Sequence, residues 1–170
     1  MIPFLDLKKV NQQYNAELKA ACNRVIDSGW YIGGQELEIF EQNFAKYCGT
    51  QFAIGVANGL DALILVLRAW KELGQLKEGD EVIVPANTYI ASILAITANN
   101  LKVVLVEPDA SSLNLSVEAI EQAITPRTKV ILAVHLYGQL ADMPKIIQLA
   151  QQHHLLVLED SAQAHGAEIN

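Results

Sequence analysis

Two cysteines, Cys22 and Cys48, are all that 170 residues contain, and neither belongs to a C-x-x-C pair or a close Cys/His group. That pattern argues against a disulfide framework and against a structural zinc site, and both thiols are expected to stay reduced. Basic residues are also scarce. Twelve Lys and Arg face nineteen Asp and Glu, for a net charge of −7. Nucleic acids and anionic membranes demand a basic footprint, and the only Lys/Arg cluster is Lys8-Lys9, so neither is an expected partner. No apolar stretch approaches the roughly 20 residues of a membrane span. The opening Met1-Ile2-Pro3-Phe4-Leu5-Asp6 is neither basic nor long enough in its apolar part for a signal peptide, which makes a cytoplasmic location the expectation. Gly55 and Gly59 do not form the G-x-G-x-x-G fingerprint, and this weakens a dinucleotide redox reading.

What is present is a globular composition, 51% hydrophobic and 18% charged, in a chain able to bury roughly 70% of its unfolded surface. After residue 50, short β-branched runs alternate with helical patterns. Strands are expected at Phe52–Val56, Glu81–Val84, Lys102–Val106, Lys129–Val134 and Leu155–Glu159, the last reading as buried on both faces. Helices are expected at Gly59–Leu73, Ile90–Asn99, Ser116–Ile124 and Asp142–His153. Strand–helix–strand repetition with short connections implies an α/β fold, a mostly parallel sheet with right-handed crossovers and helices on both faces. Residues 1–50 differ and read as an N-terminal helical arm ahead of a domain over residues 51–170. Val10–Asp27 carries Val10, Tyr14, Leu18, Ala21 and Val25 along one face, Ser28–Gly34 interrupts, and Glu36–Cys48 resumes helical character. Such an arm could pack on the α/β domain, on a second domain or on another subunit.

Parallel strands end on one edge, where ligands gather. Past Phe52–Val56 stands Asn58-Gly59-Leu60-Asp61, a glycine turn opening into a helix whose first N–H groups suit a phosphate, or else a plain turn capped by Asn58. Past Glu81–Val84 stands Tyr89, a flat aromatic or ordinary rim packing. His135 follows Lys129–Val134, and Asp160 follows Leu155–Glu159 with Gln163 and His165 close behind. Each has a bland alternative: a lone histidine at a strand end is usually structural, and Asp160 would serve as a helix N-cap. Together they suit a ligand with a phosphate, a planar ring and a basic ring nitrogen. Pyridoxal phosphate has all three, and a carboxylate beside its nitrogen would keep the ring protonated as an electron sink.

Four ordered motifs now carry a resemblance: Asn58-Gly59-Leu60-Asp61-Ala62-Leu63, Val84-Pro85-Ala86-Asn87-Thr88-Tyr89-Ile90-Ala91-Ser92, His135-Leu136-Tyr137-Gly138, and Glu159-Asp160-Ser161-Ala162-Gln163-Ala164-His165-Gly166. The sequence resembles the sugar-nucleotide aminotransferases of the DegT/DnrJ/EryC1/StrS family over nearly its whole length. Phe4-Leu5-Asp6-Leu7 and Ser28-Gly29-Trp30-Tyr31-Ile32-Gly33 are similar to members acting on dTDP-3-keto-6-deoxyhexoses. The resemblance implies the large domain of a fold-type-I enzyme that binds pyridoxal 5′-phosphate. It implies that Gly59 and Leu60 offer N–H groups to the phosphate, with Leu60 standing where many relatives have a hydroxyl residue. Tyr89 would stack on the ring, Asp160 would bond its nitrogen and Gln163 its phenolic oxygen. Tyr31 would help line the sugar pocket, and His135 and His165 would act as supports behind the site rather than as acid/base catalysts. No metal is implied. A nucleotide-linked keto sugar, glutamate as amino donor and a homodimer with sites built from both subunits complete the expectation.

One requirement of that chemistry is unmet. The lysines are Lys8, Lys9, Lys19, Lys46, Lys71, Lys77, Lys102, Lys129 and Lys145, and none follows Asp160, whereas the family's Schiff-base lysine lies beyond that motif. No residue here is therefore assigned as catalytic. The lysine is expected past Asn170, so that the chain reads as the N-terminal part of an aminotransferase, an incomplete large domain inactive by itself. The alternatives are a complete, non-catalytic cofactor binder or oligomerisation partner, and a generic α/β nucleotide-binding module. An isolated fragment would also expose apolar surface and self-associate.

Overall fold

The computed structural model describes residues 3–169; Met1, Ile2 and Asn170 lie outside them, and with them the first two residues of the segment weighed as a leader. The chain divides into two compact units, Met1–Gly55 and Val56–Asn170.

The first unit is helical. It comprises α1 (Leu7–Gln12), α2 (Asn15–Ser28) and α3 (Gln35–Cys48). The single helix expected over Val10–Asp27 is broken at Tyr14, which lies outside helical geometry at φ −115°, ψ 15°. Asn11 and Asn15 flank the break, and asparagine weakens helix interiors because its amide competes for backbone groups. Gly29 and Gly49 end α2 and α3 at φ 66° and 65°, a left-handed conformation that glycine adopts without steric cost. Arg24 donates to Glu36 Oε1 at 2.6 Å, tying α2 to α3. Ala45 is the one buried residue among these three helices.

The expected strand over Phe52–Val56 does not form among the described residues. The backbone N–H of Gly55 donates to Glu41 Oε1 at 2.7 Å, so it is engaged by a side chain instead of a ladder. Phe52 and Ile54 remain 75% and 82% exposed. β propensity supplied the apolar residues, but without a neighbouring strand there is no sheet to join.

The second unit follows the expected alternation: α4 (Gly59–Glu72), β1 (Glu81–Pro85), α5 (Ile90–Ala98), β2 (Lys102–Val106), α6 (Val117–Ala123), β3 (Thr128–Val134), a 3₁₀ turn (Leu136–Gly138), α7 (Met143–His153) and β4 (Leu156–Asp160). The four strands are parallel in the order β2-β1-β3-β4. Successive strand side chains point to opposite faces, so Val82, Val84, Val130 and Leu132 meet Leu63 and Leu67 of α4 and Ala95 and Ile96 of α5. Ile83, Ile131 and Ala133 meet Ile120 of α6 and Ile146 and Leu149 of α7 on the other side. Helices thus cover both faces. β4 is the exception to the expectation of full burial. It lies at the edge of the sheet, so Leu156, Val157 and Leu158 are only half-buried, although they still face the two cores alternately.

Glu81 closes the amino-terminal end of the strands. Its side chain is 2% exposed and accepts from Thr125 Oγ1 at 2.5 Å, Arg127 Nη2 at 2.8 Å and Lys102 Nζ at 3.1 Å. These donors, the Thr125 hydroxyl foremost, hold its carboxyl down to about 2. The opposite end of the sheet is left to the site. No helix among the described residues is long and apolar enough to cross a membrane.

Candidate active site

A cavity of about 380 Å³ opens at the carboxyl ends of β1, β3 and β4, and Gly59, Leu60, Tyr89, His135, Asp160 and Gln163 all line it. Sequence reasoning thus names six residues, from four separate chain segments, that the fold brings to one place. Two named residues lie elsewhere. Tyr31 belongs to the first unit, where it lines a cavity of about 110 Å³ with Ser28, Trp30 and Glu36. His165 is exposed in the turn after β4 and is not among the lining residues.

The start of α4 forms one wall. Asn58 caps the helix, its Oδ1 accepting from Asp61 N–H at 2.9 Å, and its carbonyl accepts from Ala62 N–H at 3.1 Å. The N–H groups of Gly59 and Leu60 come before this ladder begins, at the positive end of a helix of 14 residues. A Cβ added at Gly59 would meet nothing within 4 Å, so no protein atom demands glycine there; the space it leaves is cavity. The Leu60 side chain packs against the core beneath α4, which leaves its backbone as the part able to serve a ligand. Tyr89, at the cap of α5, is 75% exposed at the rim and makes no side-chain cap bond.

Asp160 ends β4, and both its carboxylate oxygens are engaged. Oδ1 accepts from Ala162 N–H at 3.2 Å, and Oδ2 accepts from Ser92 Oγ at 3.1 Å. Asp160 therefore does not cap a regular helix; the residues after it turn without forming one. Gln163 Oε1 accepts the Tyr137 N–H at 2.7 Å, and because that partner is a donor the amide orientation is fixed. The Nε2 amine, two donors, is the end left for a ligand. Tyr137 itself sits at φ 56°, a left-handed conformation that the Gln163 bond helps to hold.

His135 is buried and has both ring nitrogens occupied. Nδ1 accepts from Ala141 N–H at 3.2 Å, so Nε2 carries the proton and donates to Glu159 Oε2 at 2.9 Å. That hydrogen bond holds the Glu159 carboxyl below its ordinary range. A ring so engaged braces the loop behind the cavity. Asn114 does the same from another side, accepting from Leu136 N–H at 3.0 Å and donating to the Gln139 carbonyl at 2.9 Å. Sequence reasoning missed Asn114, Ser92, Thr88 and the Glu159 partner of His135. The i, i+4 spacing of Thr88 and Ser92 across the start of α5 was a usable signal; Asn114, in a loop, offered none.

Among the described residues no lysine lines the cavity. Lys145 lies in α7, paired with Asp142 at 2.6 Å.

The profile of the DegT/DnrJ/EryC1/StrS aminotransferase family matches residues 12–170. The chain belongs to this family. It is 57% identical over 170 residues to the dTDP-3-amino-3,6-dideoxy-alpha-D-galactopyranose transaminase of Aneurinibacillus thermoaerophilus, covering 100% of this chain and 46% of that protein. Among solved structures it is similar to Streptomyces venezuelae DesV in complex with a ketimine intermediate, with TM-score 0.91, 52% identity, and coverage of 97% of this chain and 43% of that one. It is also similar to Bacillus subtilis NtdA with bound cofactor PMP, with TM-score 0.89, 35% identity, and coverage of 97% and 37%. The chain thus spans less than half the length of these relatives. Its family likeness supports a pyridoxal-type cofactor, and the residues present fit one. The open cradle at Gly59 admits a phosphate, and the donor and acceptor set of Asp160 and Gln163 matches the polar edge of the ring.

Proposed function

We propose that this chain forms the cofactor-facing part of a pyridoxal phosphate-dependent aminotransferase that aminates a nucleotide-linked keto sugar, a dTDP-3-keto-6-deoxyhexose, with glutamate as amino donor. The observation that carries it is the single cavity joining the open start of α4, Tyr89, Asp160 and Gln163. The 57% identity to a dTDP-3-amino-sugar transaminase supports the sugar class.

In this reading the N–H groups of Gly59 and Leu60 bind the phosphate dianion, aided by the helix dipole. Tyr89 covers one face of the ring. Asp160 holds a proton on the ring nitrogen, because an ionised carboxylate at hydrogen-bond distance favours the cationic form. Gln163 Nε2 donates to the phenolic oxygen. When bound, the cofactor supplies the electron sink that lets an amino group leave one carbon skeleton for another. His135 and Glu159 keep the loop at residues 135–141 in place. Tyr31 and the loop around it serve the sugar site in a homodimer. With no lysine in the cavity, the chain by itself binds the cofactor without a covalent anchor and does not turn over.

Spectrophotometric titration with pyridoxal phosphate tests this. Saturable binding is expected, weakened about tenfold or more in Asp160→Ala, which removes a charge-assisted bond, and also weakened in Tyr89→Ala. Borohydride should trap no stoichiometric lysine adduct. Tight nicotinamide dinucleotide binding would refute the cofactor assignment, and a stoichiometric adduct with amino transfer from glutamate would refute the claim that the covalent step lies outside residues 1–170.

A further inference from the structure

The start of α5 does more than present Tyr89. Ser92, one turn along the same helix, is 1% exposed and lies beneath the cavity, with its Oγ 3.1 Å from Asp160 Oδ2 and 2.9 Å from Thr88 Oγ1. The residues at the two ends of the first contact are 68 positions apart, so only the folded sheet brings them together.

An ionised carboxylate only accepts, which settles the direction of every proton in this chain of groups. Ser92 must donate to Asp160. Its oxygen is then the acceptor for Thr88, whose hydroxyl donates to Ser92. The sequence Thr88 → Ser92 → Asp160 runs one way, and each donation polarises the next. With Ala162 N–H on Oδ1, the carboxylate is gripped from two sides and cannot turn about its Cβ–Cγ bond without losing one donor. One lone pair on each oxygen remains for a ligand.

We infer that Ser92 is a positioning residue: it fixes the plane of the Asp160 carboxylate so that its remaining lone pairs meet the ring nitrogen of the cofactor. The inference rests on the cofactor reading above. Its signature is selective. Removing the Ser92 hydroxyl should weaken the part of the affinity that depends on the ring nitrogen and leave the phosphate and aromatic parts alone.

The probe is pyridoxamine 5′-phosphate, which needs no covalent anchor, compared with its 1-deaza analogue, in which a CH replaces the ring nitrogen. The 170-residue chain should prefer the natural ring by about tenfold or more, the scale of a hydrogen bond between charged groups. In Ser92→Ala that preference should fall to within about threefold of none, while affinity for the deaza compound stays unchanged. Ser92→Thr keeps the donor but adds a methyl to a buried site, and it should restore most of the preference. Ser92→Cys keeps the volume with a weaker donor and should fall between; it also serves if the threonine variant misfolds. A packing role makes the opposite forecast, with threonine worse than alanine and both compounds weakened alike. Full preference in Ser92→Ala, alongside its loss in Asp160→Ala, would overturn the inference and leave the cofactor reading standing. No preference in the unsubstituted chain, or a preference that survives Asp160→Ala, would sink the cofactor reading itself and this inference with it.

Discussion

Two helices that each carry an apolar stripe meet different fates. α7, of 11 residues, buries Met143, Ile146, Leu149 and Ala150 against the sheet. α2, of 14 residues, buries none, and Leu18 and Ile26 stay 47% and 60% exposed. An apolar stripe is enough to make a helix, but its stability comes from the surface it packs on. The second unit contains that surface, a sheet with a core on each face. The first unit does not contain one, and the apolar stripe of its arm stays exposed.

The largest test of this contrast is truncation of a side chain in each unit. Ile131→Ala removes a fully buried side chain from the middle of β3 and should cost about 2–5 kcal/mol in urea unfolding. Leu18→Ala should cost within about 0.5 kcal/mol. Comparable losses would erase the distinction between the units.

Acid sharpens it. The folded Glu81 carboxyl titrates near about 2 against an ordinary 4.5, so its contribution is complete above about 4.5 and disappears as pH falls through about 2. Urea midpoints measured across that window should fall steadily for the unsubstituted chain. In Glu81→Gln the slope should flatten, from a lower starting stability. An equally steep fall in the variant would assign acid sensitivity elsewhere.

The smallest test compares two caps of the same kind. Ser116 Oγ accepts from Ala119 N–H at 3.2 Å at the start of α6, and Asp6 Oδ1 accepts from Lys9 N–H at 3.1 Å at the start of α1. Ser116→Ala should cost about 1 kcal/mol of global stability by urea unfolding. Asp6→Ala, in a helix with no buried residue, should leave the urea midpoint unmoved.

These contrasts follow what was legible in the sequence. Strands Glu81–Pro85, Lys102–Val106 and Thr128–Val134 were readable because each is a compact β-branched run between clear turns. The site was readable because a parallel sheet delivers the residue after each strand to one rim, so Tyr89, His135 and Asp160 could be placed without knowing the strand order. Phe52–Val56 misled because a strand needs a neighbour, and a local pattern does not say whether one is present. Val10–Asp27 misled because five apolar residues at helical spacing outweighed the flanking asparagines. Asn114 and the Asp160 contact of Ser92 were out of reach for another reason. They are defined by hydrogen bonds to segments 22 to 68 residues away, and although the Thr88–Ser92 spacing marks a local pair, nothing near either residue announces the distant partner.

One consequence of β4 at the margin of the sheet concerns handling. Its outer backbone row, with Leu156 and Leu158 half-covered above it, pairs with no further strand among the described residues and is a template of donors and acceptors for a passing extended chain. Concentrated preparations should therefore grow by strand recruitment at this margin, and a lysine or proline placed on the outward row of β4 should hold the solution clear where dilution alone does not.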